Sequence, residues 1–88
     1  MAQRVVSIGS RSGLHARPAA IFVQAAAQVP VPVTIAVEGK TPVPANSLLG
    51  VMTLGAGCGD QVTLTAAGDQ AEAVLEELAA LLSKELDA

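Results

Sequence analysis

Aromatic side chains are almost missing from this chain: Phe22 is the only one, and there is no tryptophan or tyrosine. Readers of single-stranded nucleic acid stack bases on aromatic faces, so that class is disfavoured. Basic charge is scarce as well. Five Lys and Arg stand against eight Asp and Glu, for a formal net charge of −3, whereas a binder of phosphate backbones needs a basic surface. No nucleic-acid partner is expected. The single cysteine, Cys58, can neither close an internal disulfide nor fill a structural zinc site by itself, which points to a reducing compartment. The opening MAQRVVSIG has no long apolar stretch behind a basic flank, and so does not read as a secretory signal. Apolar runs are broken by Gln24, Gln28, Pro30 and Pro32 before they reach a membrane-spanning length. The expectation is a cytoplasmic protein with no direct membrane insertion.

What is present suits one small domain over residues 1–88. An apolar share of 51%, much of it alanine, can build a core, although a chain of this size buries only roughly 60–65% of its unfolded surface. QRVVSI at 3–8 alternates as a strand, with Arg4, Val6 and Ile8 on one face. From Ala16 to about Gln28, Ala19, Phe22, Val23 and Ala26 recur at helical spacing. VPVP at 29–32 ends that helix. VTIAV at 33–37 is a β-branched strand, EGK at 38–40 a hairpin turn, and TPVP at 41–44 an edge strand, because two prolines remove ladder donors. Asn46 or Ser47 can cap a short helix that Gly55 stops. In QVTLTA at 61–66, Val62, Leu64 and Ala66 face one side. Asp69 and Glu72 have capping-box spacing ahead of a last helix whose apolar face is Ala71, Val74, Leu75, Leu78, Leu81 and Leu82. The order is βαββαβα. A right-handed crossover leaves the first two strands of the βαβ unit parallel, with room for a third between them, antiparallel to both. The fold class is therefore α+β: a four-stranded antiparallel sheet with three helices on one face.

The stretch GLHARPAA, 13–20, holds the only histidine. A lone histidine beside a helix start is ordinarily a surface or capping residue. Three neighbours shift that reading. The helix start offers unpaired N–H groups and the positive end of a dipole, an anion site. Arg17, in the same turn, can offer forked donors to phosphate oxygens. Gly13 lets the backbone bend closely around a ligand. Positive potential also favours neutral imidazole, which is the nucleophilic form. No Ser–His–carboxylate arrangement is visible, and the region lacks further metal ligands. The local chemistry favours a phosphoryl carrier over a hydrolase.

GLHARPAA resembles the active-site signature of HPr, the histidine-containing phosphocarrier family of the phosphoenolpyruvate-dependent sugar phosphotransferase system. NSLLGVMTLGAGCGD, 46–60, is similar to that family's second signature, and the similarity covers essentially the whole chain. The resemblance implies an open-faced β-sandwich with no metal and no cofactor beyond a transient phosphoryl group. It implies that His15 accepts that group on Nδ1 and that Arg17 steadies it, with Ser12, Gly13, Ala16 and Pro18 in support. The donor would be phosphorylated Enzyme I, the acceptors the A domains of sugar-specific Enzyme II permeases, and the carrier a monomer. Ser47 matches a serine phosphorylated in many Gram-positive members by an ATP-dependent HPr kinase. A plain N-cap is the competing reading for it.

Two departures from the family pattern stand out. Asn46 replaces the lysine or arginine common before that serine. Gln24 and Gln28 occupy the first helix, and neither of the first two helices carries a lysine. Docking is therefore expected to lean on Ala20, Leu48, Leu49, Val51 and Met52, with Arg17 as the main charge. Two other readings share the element order: a regulatory paralogue that donates phosphate to a control protein, and a non-catalytic binding module.

Overall fold

Four strands and three helices follow in the expected order: β1 (Ala2–Ser7), α1 (Ala16–Gln28), β2 (Val33–Val37), β3 (Val43–Pro44), α2 (Leu48–Thr53), β4 (Gln61–Ala66) and α3 (Ala71–Leu82). The computed structural model describes residues 2–11, 13–14 and 16–84. The sheet order is β1-β4-β2-β3, and each neighbouring pair is antiparallel. β4 thus fills the gap between β1 and β2, with Leu64 paired to Arg4 on one side and Ile35 on the other. β3 stays short and at the edge, as Pro42 and Pro44 require.

Strand alternation sorts the side chains. Val33, Ile35, Val62, Leu64 and Ala66 are buried beneath the helices. On the open face Val5 remains exposed beside the half-buried Thr34, Thr63 and Thr65, the polar side that a one-sided antiparallel sheet allows. α1 contributes Ala19, Phe22 and Ala26 to the core, and α3 contributes Ala71, Val74, Leu75, Leu78, Ala79 and Leu82. Phe22, fully buried, is the largest of these side chains.

α3 starts later than its sequence suggests. Its N-cap is Gln70, which makes no side-chain capping bond. With Ala71 as the first helical residue, Asp69 and Glu72 are each one place out of register, so the capping box cannot close. The turn at Gly68 (φ +105°) does the work instead, because the Gly68 carbonyl accepts from the Ala71 N–H at 3.2 Å.

Candidate functional site

The described part of the loop from β1 to α1 is held at several points by hydrogen bonds. Ile8 exchanges bonds with the α2–β4 turn: its N–H donates to the Asp60 carbonyl at 2.9 Å, and its carbonyl accepts from Gly59 N–H at 2.8 Å. Gly9 N–H donates to Leu82 O at 2.9 Å, and a β-carbon at residue 9 would run into the Ser83 carbonyl. The buried Ser10 donates its hydroxyl to Lys84 O at 3.4 Å. Gly13 N–H returns to Ser10 O at 2.9 Å with φ +74°, and Leu14 N–H donates to Ala56 O at 2.8 Å. The Leu14 side chain is then buried in the core. His15 and Ser12 lie outside the described residues. In sequence, His15 stands between this pinned leucine and Ala16, the first residue of α1.

α1 opens without an acidic residue in its first turn, so no carboxylate of that turn offsets the positive helix end. The N–H groups of Ala16 and Arg17 have no intrahelical acceptor four residues back. Pro18 occupies the third helical position, where its missing N–H leaves no bond unmade, and its ring is buried. Arg17, one residue earlier, is exposed. The first turn therefore combines backbone N–H groups that the helix itself does not use with an exposed arginine, a set able to receive the oxygens of an anion.

α2 packs against α1. Its N-cap is Ser47, whose Oγ accepts from Gly50 N–H at 3.1 Å, so the capping reading holds for the serine and not for Asn46. Leu54 forms the C-cap, and Gly55 follows with φ +68°. The expected docking residues divide. Leu48 and Leu49 are exposed, at 43% and 76%, while Ala20 and Met52 are half-buried. Val51 is a correction: it is fully buried, and no partner can touch it. The reason is helical phase, since Val51 and Leu54 turn to the core together while Leu48 and Leu49 turn outward and Met52 packs against the core's edge.

Sequence reading missed two supports. Lys40 Nζ donates to Leu54 O at 3.4 Å, placing a cation at the C-terminal end of α2. Asp60 accepts from Gly57 N–H at 2.9 Å through Oδ2 and donates its own N–H to Gly57 O at 3.0 Å. The glycines at 55, 57 and 59 followed by an acid were the available signal for the second. Nothing local signals the first. Cys58 sits exposed in that turn, as a turn residue. Among the described residues no group of three or more His, Cys, Asp or Glu could hold a metal ion, and no helix is long and apolar enough to cross a membrane.

Comparison with known proteins bears on this arrangement. Residues 2–84 match a family model described as the PTS HPr component phosphorylation site. The phosphocarrier protein HPr of Streptomyces coelicolor is 49% identical over 87 residues, covering 99% of this chain and 94% of that protein. A crystal structure of HPr from Bacillus anthracis superposes with a TM-score of 0.86 at 42% identity, over 92% of this chain and 95% of that one. The Bacillus subtilis catabolite-repression protein Crh, crystallised as a dimer with a swapped domain, gives a TM-score of 0.73 at 41% identity over 98% of both chains.

Proposed function

The chain belongs to the HPr phosphocarrier family of the phosphotransferase system, and from that premise we propose that it takes a phosphoryl group onto His15 from phosphorylated Enzyme I. It then delivers the group to the A domains of Enzyme II permeases. Neutral imidazole attacks phosphorus through Nδ1. As the new N–P bond forms, the bond from phosphorus to the donor's leaving group breaks, and its electron pair departs with that group. The second transfer repeats the displacement with His15 as the leaving group, so no water or oxidant is consumed.

The observation that carries the proposal is an α1 N-terminus whose first turn holds no acidic residue, with Arg17 exposed in that turn next in sequence to the 15–16 junction. An open site of this kind suits a carrier. A site that gripped phosphate deeply would trap the intermediate and slow its release. Leu48 and Leu49, exposed on the helix packed beside α1, supply an apolar surface for the protein donor and acceptors.

Likeness to the catabolite-repression protein Crh keeps one competing reading in view, a regulatory paralogue whose acceptor is a control protein. Donor chemistry is the same in both. The working form is proposed as a monomer, and a swapped dimer like that of Crh is the alternative that sedimentation distinguishes. Phosphorylation of Ser47 would put negative charge beside Leu48 and Leu49 and is proposed as a brake on docking. Its hydroxyl already serves as the α2 cap.

Incubation with phosphoenolpyruvate and Enzyme I should add the mass of one phosphate, labile to acid and stable to base. The His15→Ala variant should gain none. Equal labelling of that variant would refute the assignment.

A further inference from the structure

We propose that Asp60 is a positioning residue for phosphoryl transfer, acting by closing the turn at 56–60 that holds both ends of the loop leading into His15. The proposal rests on the carrier reading above. Ile8, which enters the loop, is bonded in both directions to Gly59 and Asp60, and Leu14, which leaves it, donates to Ala56. One five-residue turn therefore sets the separation of the loop's two ends. Contact at the leaving end is close. A β-carbon on Gly13 would collide with the Ala56 carbonyl and come within 2.7 Å of Gly57 Cα.

That turn has little of its own to keep it in shape. Glycines stand at 55, 57 and 59, and Gly55 and Gly59 adopt φ +68° and +86°. Glycine backbones have the widest choice of alternatives. Asp60 narrows the choice, because its carboxylate accepts from Gly57 N–H at 2.9 Å while its N–H donates to Gly57 O at 3.0 Å. Without the carboxylate, Gly57 loses one of those restraints. The Ala56 carbonyl, one residue back, can then drift from Leu14 N–H. His15 is the next residue after Leu14. Displacement of about 1 Å at a reacting group costs up to about a hundredfold in rate.

The Asp60 bond is exposed, so its loss should change loop geometry more than global stability. Asp60→Ala removes the acceptor. Asp60→Asn removes the charge but keeps an oxygen that can accept from Gly57 N–H. In the full chain, D60A should lower kcat for phosphorylation by Enzyme I about tenfold with KM little changed. Amide exchange at Leu14 and Ile8 should quicken about fivefold or more while Leu64 in β4 keeps its protection. D60N should return all three readouts to within about twofold of wild type.

Wild-type kcat together with wild-type Leu14 exchange in D60A would overturn the proposal. So would a D60N variant as slow as D60A with Leu14 still protected, since that outcome assigns the effect to charge and not to the turn. Failure of the unmutated chain to take up phosphate would instead overturn the carrier reading and the link to transfer. The exchange data alone would then decide whether Asp60 holds the loop.

Discussion

At Gly13 the backbone takes φ +74°, and a side chain there would meet the Ala56 carbonyl. Two costs combine at this one position, backbone strain and a collision with backbone that cannot swing aside. The strain alone costs about 1–3 kcal/mol, and the collision adds to it. The expected result for Gly13→Ala is a lower melting temperature and a slower phosphorylation rate, with Leu14 amide exchange accelerated. Full activity in that variant would mean that the Leu14–Ala56 bond is dispensable. Arg17 and Pro18 show how far neighbouring residues in one turn can differ in task. The guanidinium-bearing residue is exposed, while the proline ring is buried and leaves no donor unpaired.

α2 is the element whose two sides do different jobs. Six residues are too few for a helix to stand alone, so it depends on its caps and its neighbours. Ser47 closes one end, Lys40 approaches the carbonyl of Leu54 at the other, and Val51 is fully buried on the inner side. Leu49, 76% exposed, contributes nothing visible to that packing. Leu49→Ser should therefore leave the melting temperature nearly unchanged and raise KM for Enzyme I about fivefold or more. Val51→Ala should do the reverse. It should cost about 2 kcal/mol in chemical denaturation, with KM near wild type for the folded fraction. If Leu49→Ser binds normally, the apolar docking surface is misassigned. Exposure separates these two residues where sequence does not, since both are aliphatic and only two positions apart.

For the whole molecule, charge distribution sets how partners approach. The net charge is −3, and the described acidic residues of α3, Glu72, Glu76 and Glu77, are exposed. α2 contains no charged residue, and α1 contains only Arg17. Steering by long-range attraction is accordingly weak, and association should rest on apolar contact near the α1 terminus. Raising the salt from about 50 to 500 mM, which shortens the Debye length severalfold, should raise KM for Enzyme I by less than about threefold. A steep rise would locate the docking energy in charges instead. The Arg4–Glu72 ion pair, 3.7 Å long and exposed at both ends, joins β1 to α3 but adds little stability.

Sequence by itself determined the order of elements and the inward face of the longer ones, because hydrophobic period and turn chemistry are local properties of the chain. It also singled out GLHARPAA and narrowed the cap of α2 to Asn46 or Ser47, since a helix terminus and its neighbours lie within a few residues of one another. Tertiary structure alone decided that Val51 points inward while Leu48 and Leu49 do not, because a short helix that is apolar all round has no phase until it packs. It alone decided that α3 begins at Ala71, where the Gly68 turn overrides the spacing of Asp69 and Glu72. The pairing of Ile8 and Leu14 with one distant glycine turn belongs here too. Those hydrogen bonds join segments more than forty residues apart, and no local pattern in either segment specifies its partner.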